Sequence, residues 1–506
     1  MQKDLLYKHK GLTFAKFIWS LGTPYLWIVL IALPLQLIIF KMQYPFPNFR
    51  GDSESYIVAA ILHAGATEWP VGYSIFLRLI HFFSHSDTFF ITIQYLFLEL
   101  SALLFLFTLQ YFIQPGRAVF ITLFVFIVFN PLFLHLGNYI MSDALFISLS
   151  LFWISQLIWI IYRPSSLQII GHALILFCLF TVRYNALFYP LVSLLVLILS
   201  SLRWPVKIAG IVLSMILIGL FVIYTENKFY QLNKVRQFAP FSGWQLANNA
   251  LYTYRNIQLK GTDKVPARFQ ELDSFIRQSF IAEKKAGLVL NVFIKDYYIW
   301  DGGSPLAHYL KYRWRGDTVT DMFSKWTSMG PIYSAYGSYL IREYPREYFE
   351  YFVWPNVSNF FFPSIADLGY YNQGNHQIAN GEAMWFGYKR LEISHASKDF
   401  ELTVLKPYPY FIALVNITFL FSILLYLLFN EFRMETKAFN QMILLMAGFW
   451  LLNFCFSTSA SSIELRYQVF QLLLNLSCLL ILIEWLIRAA FSPKPGGKAP
   501  SARNNA

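Results

Sequence analysis

Ten apolar stretches, most of them long enough to cross a bilayer, constrain this chain more than any other feature. A transmembrane helix needs about 20 mostly apolar residues. The stretches lie at about 18–40, 88–113, 118–136, 144–162, 167–182, 186–200, 208–225, 408–429, 441–456 and 467–487. Only 13% of the 506 residues are charged, against roughly 25% in a soluble globular protein. The sequence therefore predicts a polytopic α-helical membrane protein with about ten transmembrane helices, and argues against a water-soluble enzyme, a coiled coil or a disordered chain.

The two shortest stretches, 167–182 and 186–200, flank Arg183. Backbone groups without hydrogen-bond partners are costly in lipid. The connection at Arg183 is therefore expected to be a tight hairpin, or a broken helix that faces a cavity.

The distribution of lysine and arginine predicts the orientation, because cytoplasmic loops of membrane proteins are enriched in both. The net charge is +12. Segments assigned to the cytosol hold fourteen of these residues: Lys3, Lys8, Lys10, Lys16, Arg117, Arg163, Arg203, Lys207, Arg433, Lys437, Arg488, Lys494, Lys498 and Arg503. The short outer loops hold five: Lys41, Arg50, Arg78, Arg183 and Arg466. Both termini are expected in the cytosol, and the protein in the inner (plasma) membrane.

This orientation divides the chain into four parts. Residues 1–225 form an N-terminal transmembrane module with a long first outer loop at 41–87, and residues 226–407 form a mostly helical external, periplasmic domain. Residues 408–487 are the C-terminal transmembrane helices, and residues 488–506 are a disordered cytosolic tail. The inner loops are short and carry no nucleotide-binding fingerprint, so any chemistry is expected on the outer face.

The first outer loop carries two acids beside two short apolar stretches. Tyr56–Leu62 and Tyr73–Phe83 are too short to span a bilayer and are expected to lie in the membrane interface. Asp52 and Glu54 stand in GDSESY, directly ahead of the first stretch. Asp52 is either the cap of that helix or a carboxylate that faces a lipid-accessible groove.

Three further outer turns supply charged residues to the same membrane face. These are Asp143 in MSDALF, Arg183 in TVRYNALFYP, and Glu464, Arg466 and Tyr467 in SSIELRYQVF. Charges near membrane depth are costly and usually functional. The arrangement suits a substrate with a phosphate at the headgroup level, although scattered interfacial anchors would give the same pattern.

These motifs, in this order and on one side of the membrane, resemble those of the GT-C membrane glycosyltransferases, which include protein O-mannosyltransferases and lipid A aminoarabinose transferases. The likeness covers about residues 1–225 and 400–490. It implies inverting transfer of a sugar from a polyprenyl-phosphate carrier to an acceptor hydroxyl on the outer face. Many members carry adjacent acids in the first loop, whereas Ser53 here separates Asp52 from Glu54.

The resemblance also implies roles for individual residues. Asp52 matches the carboxylate that takes the acceptor proton, and Asp143 matches an acid that orients the acceptor or holds a metal in some members. The resulting candidates are Asp52, Asp143 and Glu54 as catalytic residues, Arg466, Arg183 and Arg78 as donor phosphate-binding residues, and Tyr56, Glu464 and Tyr467 as supporting residues.

The family resemblance and the residue pattern together predict the cofactors and partners. The nine histidines show no metal-binding spacing and the three cysteines lie in apolar stretches, so no metal site is assigned, although a divalent cation remains compatible with the resemblance. Expected partners are a polyprenyl-phosphate-linked sugar, a glycan, lipid or protein acceptor, and membrane lipids, but no nucleic acid.

Two other functions compete with this interpretation. A polyprenyl-lipid flippase or other transporter would place charges along a path through the membrane, and Glu99, in the middle of a span, is compatible with a proton-coupled role or with a hydrogen bond between helices. An O-antigen ligase or polymerase would use a similar donor. The aromatic stretch at 331–362 is either an amphipathic helix pair on the membrane or an acceptor-binding platform.

Overall fold

The structure, a computed structural model, describes residues 12–49, 51–257, 265–288, 296–393, 400–429 and 436–491. It is 79% helical, and the described residues contain no β-strand. The fold class predicted from the sequence, a polytopic α-helical membrane protein, is thereby confirmed.

The described part of the N-terminal module contains ten α-helices. They are α1 Phe14–Gln43, α2 Gly51–Ile61, α3 Gly72–Phe83, α4 Asp87–Phe112, α5 Arg117–Val128, α6 Pro131–Gly137, α7 Ser142–Tyr162, α8 Ser166–Val182, α9 Tyr189–Leu199 and α10 Trp204–Asn233. Helices α5 and α6 together make the third predicted span, interrupted at Asn130, whose side chain caps α6 by accepting from the Leu132 amide at 3.1 Å. A 3₁₀ helix, Tyr184–Phe188, precedes α9.

The rest of the described chain contains twelve α-helices. They are α11 Pro240–Tyr254, α12 Gln270–Lys285, α13 Tyr297–Trp300, α14 Pro305–Arg313, α15 Met322–Ser328, α16 Gly330–Glu343, α17 Pro345–Tyr348, α18 Trp354–Phe361, α19 Asn380–Phe386, α20 Tyr408–Phe429, α21 Lys437–Ala460 and α22 Leu465–Phe491. A π-helical turn, Phe349–Val353, joins α17 to α18, and short 3₁₀ turns lie at Ala267–Phe269, Ala366–Gly369, Tyr371–Gly374 and Thr403–Leu405.

Within the described residues, eight segments are long and apolar enough to cross a membrane, rather than the ten expected. The other two predicted spans are the shorter helices α8 and α9. Arg183, which follows α8, contacts Asp143 at the start of α7, whereas the Leu199 carbonyl at the end of α9 accepts from Gln441 at the start of α21. Both short helices therefore run the length of the bundle, and Arg183 lies in the tight turn expected between them.

We call the end of the bundle that carries Asp143 and Arg183 the site end. The opposite end is marked by the Gly116 amide, which donates to Glu484 Oε2 at 2.8 Å. Helix α10 continues past the site end: its 30 residues span about 45 Å at 1.5 Å per residue. Its last residue, Asn233, donates to Thr327 Oγ1 at 2.8 Å. The extra turns of α10 therefore hold the external domain above the bundle.

Helices α2 and α3 lie at the site end and pack against each other. One side of α3 is buried, at Tyr73, Leu77 and Ile80, while Phe82 and Phe83 are 84% and 70% exposed. An amphipathic helix with exposed aromatic residues beside the spans has the character of an interfacial helix, as the sequence predicts.

The external region has two parts. Residues from Trp244 to Phe352 form a separate apolar core, whereas buried residues from Phe360 to Leu405 pack into the core of the bundle. The aromatic stretch at 331–362 contributes Tyr333, Tyr336 and Phe352 to the external core. It was a candidate acceptor platform, but none of its residues lines the main cavity at the site end.

Two further expectations concern Glu99 and the C-terminal tail. Glu99 is fully buried within α4, one turn beyond Tyr95, which fits an interior position between helices. Helix α22 continues to Phe491, past the expected start of the disordered tail at 488, and residues 492–506 lie outside the described residues.

Candidate active site

Asp143 joins two of the predicted outer turns. It lies in the first turn of α7 and is 4% exposed. Arg183 Nη1 donates to Asp143 Oδ1 at 2.6 Å, and Arg466 Nη1 donates to Asp143 Oδ2 at 3.0 Å. One carboxylate therefore holds two guanidinium groups that come from distant parts of the sequence.

Arg466 is held from three sides. Besides Asp143, its Nε donates to Glu464 Oε2 at 3.0 Å and its Nη2 donates to the Tyr467 hydroxyl at 2.6 Å. The guanidinium carbon also lies 4.5 Å from the centre of the Tyr467 ring, and that of Arg183 lies 5.1 Å from it. The planar, five-donor geometry of arginine allows this many fixed contacts at once.

The four charges of this cluster cancel. Asp143 and Glu464 are 4% and 3% exposed, and the side chains of Arg183 and Arg466 are 15% and 8% exposed. Removing ions from water costs several kcal/mol each unless they are paired and hydrogen-bonded. The pairing meets that cost and leaves the two arginines in fixed positions.

A cavity of about 450 Å³ opens beside this cluster, between the site end of the bundle and the external domain. Arg183, Arg466, Glu464 and Tyr467 line it from the bundle. Asp52, in the first turn of α2, lines it from the first outer loop. The cavity therefore places the carboxylates of Asp52 and Glu464 and two guanidinium groups around a common space large enough for a substrate.

Three contacts fix the first outer loop against the start of α7 and the turn before it. Asn48 pairs with Tyr139 through a parallel backbone bridge, and Ser53 Oγ donates to the Ile140 carbonyl at 2.9 Å. The Tyr56 hydroxyl and Ser142 Oγ are 3.0 Å apart. Because these contacts lie on both sides of Asp52 in sequence, they determine where its helix begins relative to the arginines. Burial raises the pKa of Tyr56 above its usual range, so its hydroxyl keeps its proton at neutral pH.

Residues 364–378, which we term the return segment, tie the remaining elements together. The Leu465 amide donates to the Ser364 carbonyl at 2.8 Å, and the Tyr139 hydroxyl donates to the Asp367 carbonyl at 2.6 Å. Asn372 accepts from the Phe49 amide at 3.1 Å and donates through its own amide to Asn48 at 2.7 Å. The return segment thus contacts the first loop, the turn before α7 and the start of α22.

The structure brings most of the sequence candidates together. Six of them line the cavity: Asp52, Tyr56, Arg183, Glu464, Arg466 and Tyr467. Asp143 lies behind the two arginines and borders smaller pockets instead.

Two candidates lie elsewhere. Glu54 is exposed on α2, where it faces Gly381 of α19. Arg78 is half-buried on α3 and does not line the cavity. Neither side chain lines the cavity.

The carboxylates of the site suit arginines better than a divalent cation. Both oxygens of Asp143 accept from guanidinium groups, and Glu464 also binds Arg466. Among the residues that the structure describes, no group of three or more His, Cys, Asp or Glu side chains could hold a metal ion. Each oxygen of Asp143 already accepts from a guanidinium group, and no chemical step is assigned to a metal.

Sequence reasoning missed several side chains in and around the cavity. Ser142 lies between Tyr56 and Arg183, with its Oγ 3.4 Å from Arg183 Nη1, and its only sequence signal was its place beside Asp143. The aromatic side of the cavity was missed too: Trp69, Phe241 and Trp300 line it. Of these, Trp69 stood in the WPVGY motif and Trp300 in KDYYIWDGG, but their meeting depends on tertiary structure.

The chain matches no protein-family model, no curated protein and no solved structure. The fold is that of a polytopic α-helical membrane protein, and the interpretation of its site rests on the geometry and chemistry of the residues themselves.

Proposed function

We propose that this protein is a membrane glycosyltransferase that moves a sugar from a polyprenyl-phosphate carrier to an acceptor hydroxyl, with inversion at the anomeric carbon. One observation carries the proposal: Arg183 and Arg466, both fixed on Asp143, open together with Asp52 onto one cavity at the end of the bundle. In this proposal the site faces the periplasm, and the protein resides in the inner (plasma) membrane.

The arginine pair suits the donor phosphate. Guanidinium groups bind phosphate oxygens through paired, charge-assisted hydrogen bonds. Such groups act most strongly when they are already oriented and sit in a site that excludes water. Asp143 supplies that orientation, because each of its oxygens accepts from one arginine. Asp143 is in this view a positioning residue rather than the base.

Asp52 suits the acceptor. The acceptor oxygen attacks the anomeric carbon as the bond from that carbon to the phosphate oxygen breaks, and the phosphate leaves with the bonding electrons. The proton of the acceptor hydroxyl passes to the Asp52 carboxylate, which then releases it to solvent. A positioned general base contributes about 10²–10⁴-fold in rate. The leaving phosphate needs no strong acid, because the arginines stabilise its charge.

The position of the charges favours transfer over transport. The cavity-lining charges collect at the site end of the bundle, next to the external domain. A transporter is expected to have its substrate site near the middle of the membrane. An external domain beside the cavity also offers a surface for an acceptor, which a flippase would not need.

Purified full-length protein in nanodiscs provides the test, with a panel of radiolabelled polyprenyl-phosphate sugars as donors. We expect release or transfer of the sugar from one donor, and a drop of about 10²–10⁴-fold in turnover for Asp52→Asn with donor binding retained. Asp52 lies within the first turn of α2, so loss of its charge near the helix N-terminus should cost only about 0.3–1 kcal/mol and the protein should still fold. Glu54→Gln is the matched control and should stay within about threefold of the parent, since surface changes of this kind cost little.

Two results would remove the proposal. Normal turnover in Asp52→Asn would exclude Asp52 as the base, and donor binding that survives loss of both arginines would exclude the phosphate site.

The orientation is tested separately, with cysteines placed at exposed positions in a variant that lacks the native cysteines. Ser274→Cys should react with an impermeant thiol reagent from outside and Ser166→Cys should not; the reverse pattern would place the cavity in the cytosol.

A further inference from the structure

One side of the cavity is aromatic. Trp69, from the first outer loop, and Phe241, from α11, have ring centres 4.6 Å apart, and both lie within about 6.3 Å of the ring of Trp300 in α13. All three line the cavity that Asp52 and the two arginines share. We call these three rings the aromatic wall.

The aromatic wall is supported from behind. Trp300, which is 50% exposed, lies nearly parallel to Trp326, with ring centres 5.8 Å apart and planes 3° apart. Trp326 lies against Trp244 in the same way, at 5.1 Å and 8°, and Trp244 Nε1 donates to the Trp326 carbonyl at 3.0 Å. Rings held in this way lose little conformational freedom when a ligand packs on them.

Polar side chains border the aromatic wall. Ser242, Gln245 and Asp296 line the same cavity. Gln245 Nε2 donates to Asn249 Oδ1 at 2.8 Å, and Asn249 Nδ2 donates to the Ala460 carbonyl at the end of α21, also at 2.8 Å. The external domain is thereby joined by hydrogen bonds to the bundle, four residues before Glu464.

The aromatic wall and the polar side chains that border it indicate which kind of molecule binds on this side of the cavity. A sugar ring has apolar C–H faces and a rim of hydroxyl groups, so it packs on an aromatic ring while its edge hydrogen-bonds to polar side chains. The aromatic wall comes from the first loop and the external domain rather than from the membrane-spanning helices. A lipid chain would be expected against the spans instead, and a phosphate against the arginines.

We propose that the aromatic wall is the acceptor subsite, and that the acceptor is a carbohydrate bound with a sugar ring packed on Trp300 and Phe241. This inference rests on the proposed function, because the acceptor hydroxyl must lie between the aromatic wall and Asp52. It narrows the acceptor from a glycan, lipid or protein to a glycan, or to the glycan part of a larger molecule.

Binding of simple oligosaccharides tests the inference without a donor. Full-length protein in nanodiscs is titrated with maltotriose, chitotriose and mannotriose, and with a Ser/Thr-containing hexapeptide, using saturation-transfer NMR and calorimetry. We expect at least one oligosaccharide to bind, so that saturation passes from the protein to the C–H protons of that sugar. Trp300→Ala should weaken that binding about tenfold, as the loss of an aromatic contact predicts, and Trp300→Phe should restore most of it.

Trp354→Ala is the matched control. Trp354 is 62% exposed in the external region but does not line the cavity, so its removal should leave oligosaccharide affinity unchanged. An equal loss in Trp354→Ala and Trp300→Ala would overturn the inference, because the sugar would then bind outside the cavity. Binding of the peptide in place of every oligosaccharide, with loss in Trp300→Ala, would overturn it in favour of a polypeptide acceptor.

The same samples separate this inference from the proposed function. If oligosaccharides bind at Trp300 but no polyprenyl-phosphate sugar is ever bound or turned over, the transferase proposal fails and the carbohydrate site stands. If a donor is bound and its sugar released, but none of the oligosaccharides binds, the transferase proposal stands and the carbohydrate acceptor is excluded.

Discussion

Asp143 and Asp273 are buried to the same degree, at 4% exposure each, and both accept from an arginine and lie near tyrosines, yet they occupy very different places. Asp273 accepts from the hydroxyls of Tyr254 and Tyr336 at 2.8 Å each and from Arg277 Nε at 2.5 Å. This group lies in the core of the external domain. Asp143 instead holds two arginines whose side chains line a cavity of about 450 Å³.

The comparison teaches that a buried ion pair alone does not indicate a site. The hydrogen-bond donors around Asp273 lie within the core of the external domain, so these hydrogen bonds stabilise the folded domain. Around Asp143 the arginines are fixed on one side and accessible to a ligand on the other. Another buried carboxylate, Glu382 of α19, has a different environment again: it accepts from the Ala379 amide at 3.2 Å, and burial raises its pKa to about 7.

The largest effect is expected at Arg466. Arg466→Ala should weaken donor binding by about 2–5 kcal/mol, since a buried charge partner is lost, and it should lower stability as well because Asp143 and Glu464 lose a partner. Arg466→Lys keeps the charge but loses the two-pronged geometry, so it should fold better and still bind the donor poorly. The donor affinity of both variants is measured by the binding of a polyprenyl-phosphate sugar to protein in nanodiscs.

Arg277→Ala is the control for Arg466, because it removes the arginine from the other buried aspartate. It should lower the melting temperature and leave donor affinity per folded molecule unchanged. A similar loss of donor affinity in both variants would show that the two clusters do not differ in function.

A smaller effect, on stability alone, is expected at Asp273. Asp273→Ala leaves two buried tyrosine hydroxyls and Arg277 without their acceptor, which should lower the free energy of unfolding by about 3 kcal/mol. Asp273→Asn keeps an acceptor oxygen and should cost about 1 kcal/mol. Chemical denaturation in detergent, followed by proteolysis of the external domain, gives the values. A loss of turnover with no change in stability would contradict this structural role.

The smallest effect concerns pH at Glu382. Its folded-state pKa of about 7 exceeds the ordinary value near 4.3, so the folded protein binds this proton more tightly than the unfolded chain. The contribution of Glu382 to stability is therefore fully present at low pH and is lost as pH rises towards 7. Glu382→Gln, which keeps an acceptor for Ala379, should abolish that part of the pH dependence of the melting temperature. Equal profiles for parent and variant would contradict it.

Much of the fold follows from local sequence. The apolar stretches define the spans, and the interruption of the third one comes at Asn130–Pro131, a pair that favours a break. Helix α10 is longer than expected because its polar C-terminal turns support the external domain rather than the membrane. The sequence also predicts a break at Arg183 between the two shortest apolar stretches, and the two helices beside Arg183 make contacts at opposite ends of the bundle.

The site was predictable in outline but not in its connections. The order of the motifs and their common side of the membrane predict that Asp143, Arg183 and Arg466 share one face. No local sequence pattern predicts that one carboxylate binds both arginines. Glu54 and Asp52 look equivalent in sequence, and only the helical geometry of α2 turns one towards the cavity and the other away. The aromatic wall depends on three segments far apart in the chain, so periodicity carried no signal for it.

The pairing of Asp143 with Arg466 also has a consequence for biosynthesis. The two residues are 323 positions apart, whereas Arg183 follows Asp143 by only 40. During synthesis Arg183 can neutralise the buried carboxylate within the first group of inserted helices, long before the ribosome reaches the last one. Arg466, Glu464 and the return segment arrive with the end of the chain. A polypeptide released early would therefore lack Arg466 and Glu464, and with them half of the proposed phosphate-binding surface.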